Sequence, residues 1–323
     1  MFACRSILGS LVALIVFGTT APAETPLEWP SKPIKAYIPF GAGSATDIVP
    51  RALFEPLTAE LGQPIIVENR GGAGGTLGVG AVVRAAPDGY TILANSSAHA
   101  IAPAIVPNIP YDTARDLASA LMIGQNANVL IVSPSKGWKT TQYLVAAAKA
   151  NPGSINYGSA GVGTATHISA ERFRVSAGFE AVHIPYKGGA EALADILGGR
   201  IDFYYCPIST ALPFIADGRV LALAVSTPKR ASDLPQVPTS IELGYNDSDM
   251  IIWYAVFMPA KTARVIIDKF HATASKVLAT PVMQQRLKQL AVDPMPMTPS
   301  EMDQFVASEI AANERLLTAA GIK

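Results

Sequence analysis

Apolar runs and polar or glycine-rich breaks alternate along this chain with a repeated rhythm. "IKAYIPF" (34–40) has strand length and is followed by "GAGSATD", then by "IVPRALFEPLTAEL", whose apolar positions recur at helical spacing with Arg51 on the polar side. Pro50 and Pro56 are expected to kink or shorten that helix. "PIIVEN" predicts a second strand, "RGGAGG" a turn, "TLGVGAVVRAA" a helix of small residues suited to close packing, and "YTILAN" a third strand entered through "DGY". The order strand, helix, strand, helix, strand argues for a parallel sheet with helices on both faces.

The rhythm then restarts. "NVLIVSP" reads as a strand, "TTQYLVAAAKA" as a helix ended by Asn151-Pro152-Gly153, and "INYGSAGVGTATHISAERF" as strand, glycine turn and helix. "AVHIPYKGG", a helix over "AEALADILGG", the strand "IDFYYC", a helix ended by "DGR" and the strand "LALAVS" complete a second α/β unit. "IIWYAVFMPA" is one more buried strand, and 262–290 and 299–320 read as mostly helical. Two β-rich connections, near "NVLIVSP" and "IIWYAVFMPA", therefore separate a middle lobe (125–247) from one built of both ends (24–124 and 248–323). The predicted architecture is a two-lobed α/β clamp with a double hinge, each lobe a mostly parallel sheet flanked by helices.

The first residues set the compartment. Arg5, the apolar "ILGSLVALIVFG" and the small-x-small "APA" at 21–23 form a signal peptide over 1–23, cut before Glu24. The mature chain is expected in the periplasm of a bacterium-like cell. Cys4 departs with the leader and leaves Cys206 alone, so no internal disulfide can form. No second run is long enough for a membrane helix.

Composition narrows the partners. Half of the 323 residues are hydrophobic, enough for a large core, and 25 basic residues balance 25 acidic ones. Without a net field, nucleic acid and anionic membranes are not expected targets, and an anion must be caught locally. In "YGSAGVGTATHISAERF", Gly158, Gly163 and Thr164 sit where a phosphate loop has its glycines and hydroxyl, but its lysine is missing. Nothing there meets outer phosphates, whereas a small carboxylate needs only amides and hydroxyls. Ligands of open α/β sheets lie outside the carboxyl ends of strands, which points to "FGAGSATD" and "GSAGVGTATH". Glycines let the backbone approach a ligand, and the first-turn amides of the following helix carry a partial positive charge of roughly half a unit. Ser44 or Thr46, and Thr164, are candidate helix caps whose hydroxyls serve either the ligand or their own helix.

The segments "WPSKPIKAYIPFGAGSATDIVPRAL", "IIVENRGGAGGTLG", "APDGYTILAN", "INYGSAGVGTATHISAERF", "VHIPYKGGAEALADILGGRIDF", "ADGRVLALAVSTPKRASDLPQVPTSIELGY" and "AAGIK", in that order, resemble the substrate-binding receptors of tripartite tricarboxylate transporters, the Bug receptors. The resemblance covers nearly all of the mature chain. It implies a periplasmic binding protein clamp of type II-like form, a small carboxylate ligand and a membrane permease as partner. A monomer without cofactor or metal is expected. By motif, it implies ligand-binding roles for Phe40, Ala42, Gly43, Ser44, Thr46 and Asp47 in one lobe and for Ser159, Gly161, Gly163, Thr164 and His167 in the other. Gly41-Ala42-Gly43-Ser44 stands where many members have a Pro-Gly-Gly type loop.

Other residues carry two readings. Asp47 either touches a ligand amino group or complements its helix dipole, and His167 either reaches the cleft or packs. Tyr186, with Lys187-Gly188-Gly189, is placed as a roof over the pocket, Lys187 facing ligand or solvent. Arg70 reads as part of a surface turn and Cys206 as core. His99, His183 and His271 lack metal-ligand spacing. With no G-x-S-x-G elbow and scattered carboxylates, the chain does not read as an enzyme. A sensory receptor signalling to a membrane partner is the alternative to uptake.

Overall fold

The architecture is that of a computed structural model, in which Met1, residues 28–186 and residues 188–319 are described. The leader, its cleavage point before Glu24, Cys4, Lys187 and the closing 320–323 lie outside the described residues. The strands are β1 (Ile34–Ile38), β2 (Ile65–Asn69), β3 (Thr91–Ser96), β4 (Leu117–Val132), β5 (Asn156–Ser159), β6 (Val182–Pro185), β7 (Phe203–Pro207), β8 (Leu221–Val225) and β9 (Ile251–Pro259). The helices are α1 (Ala45–Leu61), α2 (Thr76–Val83), α3 (Ala98–Ile105), α4 (Thr141–Ala150), α5 (Ala165–Ala177), α6 (Gly189–Leu197), α7 (Ile208–Ala216), α8 (Arg264–Leu278), α9 (Pro281–Gln289) and α10 (Pro299–Ala319).

The strands join in the order β2-β1-β3-β9-β4-β7-β5-β6, with β8 also on β4. The outer pairs β1·β2, β1·β3, β5·β6 and β5·β7 are parallel, as the repeated strand–helix rhythm demands. The central pairs are antiparallel, because β9 and β4 carry the chain between lobes instead of returning through a helix. β4 belongs to both lobes: Leu117–Ala127 pair with β9, and Asn128–Val132 with β7 and β8. At this crossing Asn128 N–H donates to Ser226 Oγ (3.1 Å), Ser226 Oγ donates to Met250 O (2.7 Å), and Ser226 N–H donates to Asn128 O (2.8 Å). The two connections expected from the sequence are thus tied at one buried serine.

Each sheet face is covered by an apolar layer. In lobe 1, α1, α8 and α9 bury Leu53, Phe270 and Leu287 on one face, while α2, α3 and α10 bury Val82, Ala100 and Met302 on the other. In lobe 2, α6 and α7 cover one face and α4 and α5 the other. A smaller cluster of Ile101, Ala104, Ile168, Met250 and Leu317 joins α3 and α10 of lobe 1 to α5 of lobe 2.

Helix α1 departs from expectation. It runs unbroken through Pro50 and Pro56 and stops at Gly62 in the left-handed conformation. A proline inside a helix leaves the carbonyl four residues back without its donor. For Pro56 that carbonyl is Ala52 O, and Arg286 of α9 donates to it at 3.1 Å while also meeting Glu55 at 2.8 Å. Tertiary contact replaces the missing bond.

Candidate functional site

The loop after β1 and the loop after β5 hold the predicted residues. Each leads into a long helix, and each is shaped by side chains that occupy some of its amides and leave others free.

In the first loop Asp47 is the organiser. Its carboxylate accepts from Gly43 N–H (2.9 Å), Arg51 Nε (2.7 Å) and Asn69 Nδ2 (2.8 Å), and the same Asn69 nitrogen donates to Phe40 O (2.9 Å). Burial raises the Asp47 pKa, but the bonds from Asn69, Gly43 and Arg51 outweigh it and hold the carboxyl below its ordinary value. Asp47 therefore fixes the loop, and Arg51 is neutralised by it. Gly43 takes φ +82°, which an L-residue avoids. Phe40 points back toward Gly75, and Ala42 is exposed. Ser44 is the N-cap residue of α1 but makes no cap bond, and its Oγ is buried without a partner. Among the described residues, the amides of Ala45 and Thr46 have no acceptor.

The second loop is gripped from below by two stacked histidines. Ser159 Oγ lies 2.7 Å from His183 Nε2 and accepts from Gly161 N–H (3.0 Å). Gly163 N–H donates to His167 Nδ1 (3.2 Å), and the two imidazoles stack at 4.0 Å. Tyr157 stacks on His183 and donates to Glu171, which pairs with Arg174 at 2.8 Å. Burial, then the neighbouring His183, pushes the His167 pKa down to about 4, and burial likewise lowers His183. Thr164 caps α5 by accepting from His167 N–H, and its hydroxyl donates to Gly161 O (2.7 Å). Thr166 Oγ1 takes Ala160 N–H (2.9 Å). The amides of Val162, Ala165 and Thr166 keep no acceptor among the described residues. Tyr186 closes the loop's far side through its backbone, its N–H donating to Ser159 O (3.1 Å), while its hydroxyl is committed to Asp195 (2.5 Å). Arg174 and Arg51 both sit in ion pairs, and the free first-turn amides of α1 and α5 carry a partial positive charge at each loop.

The loops meet across the lobes. A Cβ on Gly163 (φ +77°) would fall 1.9 Å from Ile105 Cδ1 of α3, and Ala165 packs against the lobe 1 core. By contrast, a cavity of ≈ 440 Å³ behind lobe 1, walled by Met122, Leu278, Leu287 and Met295, includes no residue of either loop, and the start of α10 that borders it is closed by Thr298 and Glu301, whose side chains each accept from the other's backbone N–H. The two loops offer free first-turn amides, whereas the cavity presents the Glu301 carboxylate. Cys206 is fully buried and burial raises its thiol, as core packing requires. No cluster suited to a metal occurs among the described residues.

Sequence reasoning missed Asn69 and the pairing of His167 with His183. Asn69 ends β2 and His183 lies in β6, so only the parallel register beside β1 and β5 brings them to the loops.

A family model described as the tripartite tricarboxylate transporter family receptor matches residues 49–322. The chain belongs to this receptor family. BugT of Bordetella pertussis is 32% identical over 307 residues, 94% of this chain and 93% of that protein. Among solved structures, the periplasmic binding protein BugD superposes with a TM-score of 0.79 at 31% identity, over 91% of this chain and 99% of its own. An R. palustris protein, Rpa4515 with adipate, gives 0.81 at 28% identity over 91% and 99%. MatC from Rhodopseudomonas palustris with bound malate gives 0.79 at 27% over 90% and 100%. The relatives and the two-lobed fold are those of solute-binding receptors rather than enzymes. No helix among the described residues is long and apolar enough to cross a membrane.

Proposed function

We propose that the chain is a periplasmic receptor that closes on a small carboxylate between the loops after β1 and β5 and delivers it to a membrane permease of the tripartite tricarboxylate type. The lobes are 24–124 with 248–323, and 125–247, behind a leader removed before Glu24. The observation that carries the reading is the pair of helices α1 and α5, which both start beside the cleft with unbonded amides at 45–46 and 165–166, Arg51 and Arg174 being held in ion pairs. Free amides at a helix start suit a carboxylate and require no basic side chain. The adipate and malate of the two R. palustris structures support this ligand class.

The proposed contacts are the amides of Ala45, Thr46, Ala165 and Thr166 and the hydroxyl of Ser44. Phe40, Ala42, Gly43, Asp47, Ser159, Gly161, Gly163, Thr164, His167 and Tyr186 then act chiefly by shaping the two loops. The test is a thermal-shift screen of the mature protein against linear di- and tricarboxylates, hydroxy acids, amino acids and aromatic acids. A ligand that binds only the folded state raises its melting temperature. A screen in which phosphate esters or sugars stabilise the protein and no carboxylate does so overturns the reading.

A further inference from the structure

The segment 125–128 of β4 bridges the lobes at the level where their parallel strands end. In lobe 1 the last residue of β3, Ser96, pairs with Tyr254, which pairs with Gly124, and Asn126 stands just beyond, opposite Ile252. In lobe 2 Asn128 pairs with Pro207, the last residue of β7, which runs parallel to β5. Residues two apart on a strand share a face, so Asn126 and Asn128 project the same way. That face is the one covered by α1 and α5: Ile252 belongs to the core layer of α1, and Asn128 Nδ2 donates to Ser169 Oγ of α5 at 3.0 Å. The two asparagines thus lie beneath the gap between the two helix starts.

Both are buried, Asn126 at 3% and Asn128 at 0% exposure; the Asn126 amide bonds the buried Tyr254 hydroxyl and that of Asn128 bonds Ser169, but the amide oxygen of each has no partner. Ser44 Oγ at the start of α1 shares that condition. Buried acceptors are nearly always paired, and one left without a donor destabilises the fold. Two such oxygens, side by side on the hinge strand at the bottom of the cleft, are explained by a donor arriving from outside the protein.

We propose that Asn126 and Asn128 form the floor of the cleft and select, among small carboxylates, those bearing a hydrogen-bond donor on the carbon chain, a hydroxyl or an ammonium, over the unsubstituted acid. This rests on the carboxylate-receptor reading, with the carboxylate held by the helix starts and the substituent turned down to the floor.

The experiment is calorimetry on the mature protein with two matched series: succinate, malate and aspartate, then glutarate, 2-hydroxyglutarate and glutamate. In at least one series the substituted acid should bind about tenfold tighter than its unsubstituted parent, the worth of one good hydrogen bond. Asn126→Leu, which leaves the Ser169 contact intact, and Asn128→Leu should each bring that ratio near one while leaving the dissociation constant of the unsubstituted acid within about threefold. The proposal is overturned if unsubstituted acids bind as tightly as their partners, if discrimination survives in both variants, or if both variants weaken all acids alike, which marks a hinge role. If neither series gives binding heat while another carboxylate of the screen raises the melting temperature, the floor proposal fails and the receptor reading stands; if no carboxylate of the screen does so, the receptor reading itself fails.

Discussion

Ser44 and Thr164 occupy equivalent places, each the N-cap of a cleft helix, yet only Thr164 uses its hydroxyl to cap. Thr164→Ala should therefore lower stability by about 1 kcal/mol, the usual worth of a cap, in chemical denaturation. Ser44→Ala should leave the denaturation midpoint unchanged and weaken carboxylate binding instead. Equal effects of both on stability would contradict the division of labour. His167 supplies a pH dependence. Its Nδ1 accepts from Gly163 N–H only while unprotonated, and burial beside His183, with Glu171 and Arg174 also near, takes its pKa from 6.5 to about 4. As pH falls, the unfolded chain takes up this proton near its ordinary value while the folded protein refuses it, so the His167 contribution to stability declines from about pH 6.5 and levels off below about 4. In His167→Gln, which retains an acceptor but does not titrate, the decline should be shallower by up to ~1.4 kcal/mol per pH unit. Identical pH profiles of denaturation in the two proteins would remove His167 from this role.

Among elements, α1 shows a helix whose local sequence argues against its length. Arg286→Met removes the donor that replaces the missing amide of Pro56, and the half-exposed setting of that guanidinium limits the expected loss to about 1 kcal/mol. The same substitution in a Pro56→Ala background should lose less, because a regular helical bond to Ala52 O then forms; additive losses would show that Arg286 acts elsewhere. Strands and helices with a clear period were legible in the sequence, including both glycine loops, because their signals lie within a few residues. The long β4 and the short α3 were not. Bulges near Ala120 and Ile123 break the alternation of β4, so only its end, "NVLIVSP", reads as a strand. Pro103 sits inside α3 and masks its helical spacing.

At the scale of the whole molecule, the clamp was legible from the restart of the strand–helix rhythm, and the comparisons agree on a two-lobed receptor. What sequence could not give is the set of bonds made across strands: Asn69 to Asp47, His183 to Ser159, and Ile105 of lobe 1 against Gly163 of lobe 2. At the last contact there is no room for a side chain on Gly163. Gly163→Ala should be strained by its φ of +77° and meet Ile105, weakening ligand binding, and Ile105→Ala in the same chain should restore part of the affinity. A double variant no better than the single one would separate the turn from closure. The central claim, that one carboxylate is held by the first-turn amides of both α1 and α5, is tested most directly by residue-resolved amide exchange with and without the acid that gives the largest melting shift. The account predicts joint protection at Ala45 and Thr46 in one lobe and at Ala165 and Thr166 in the other. Saturating ligand that protects amides of one lobe alone, or neither pair, would contradict it.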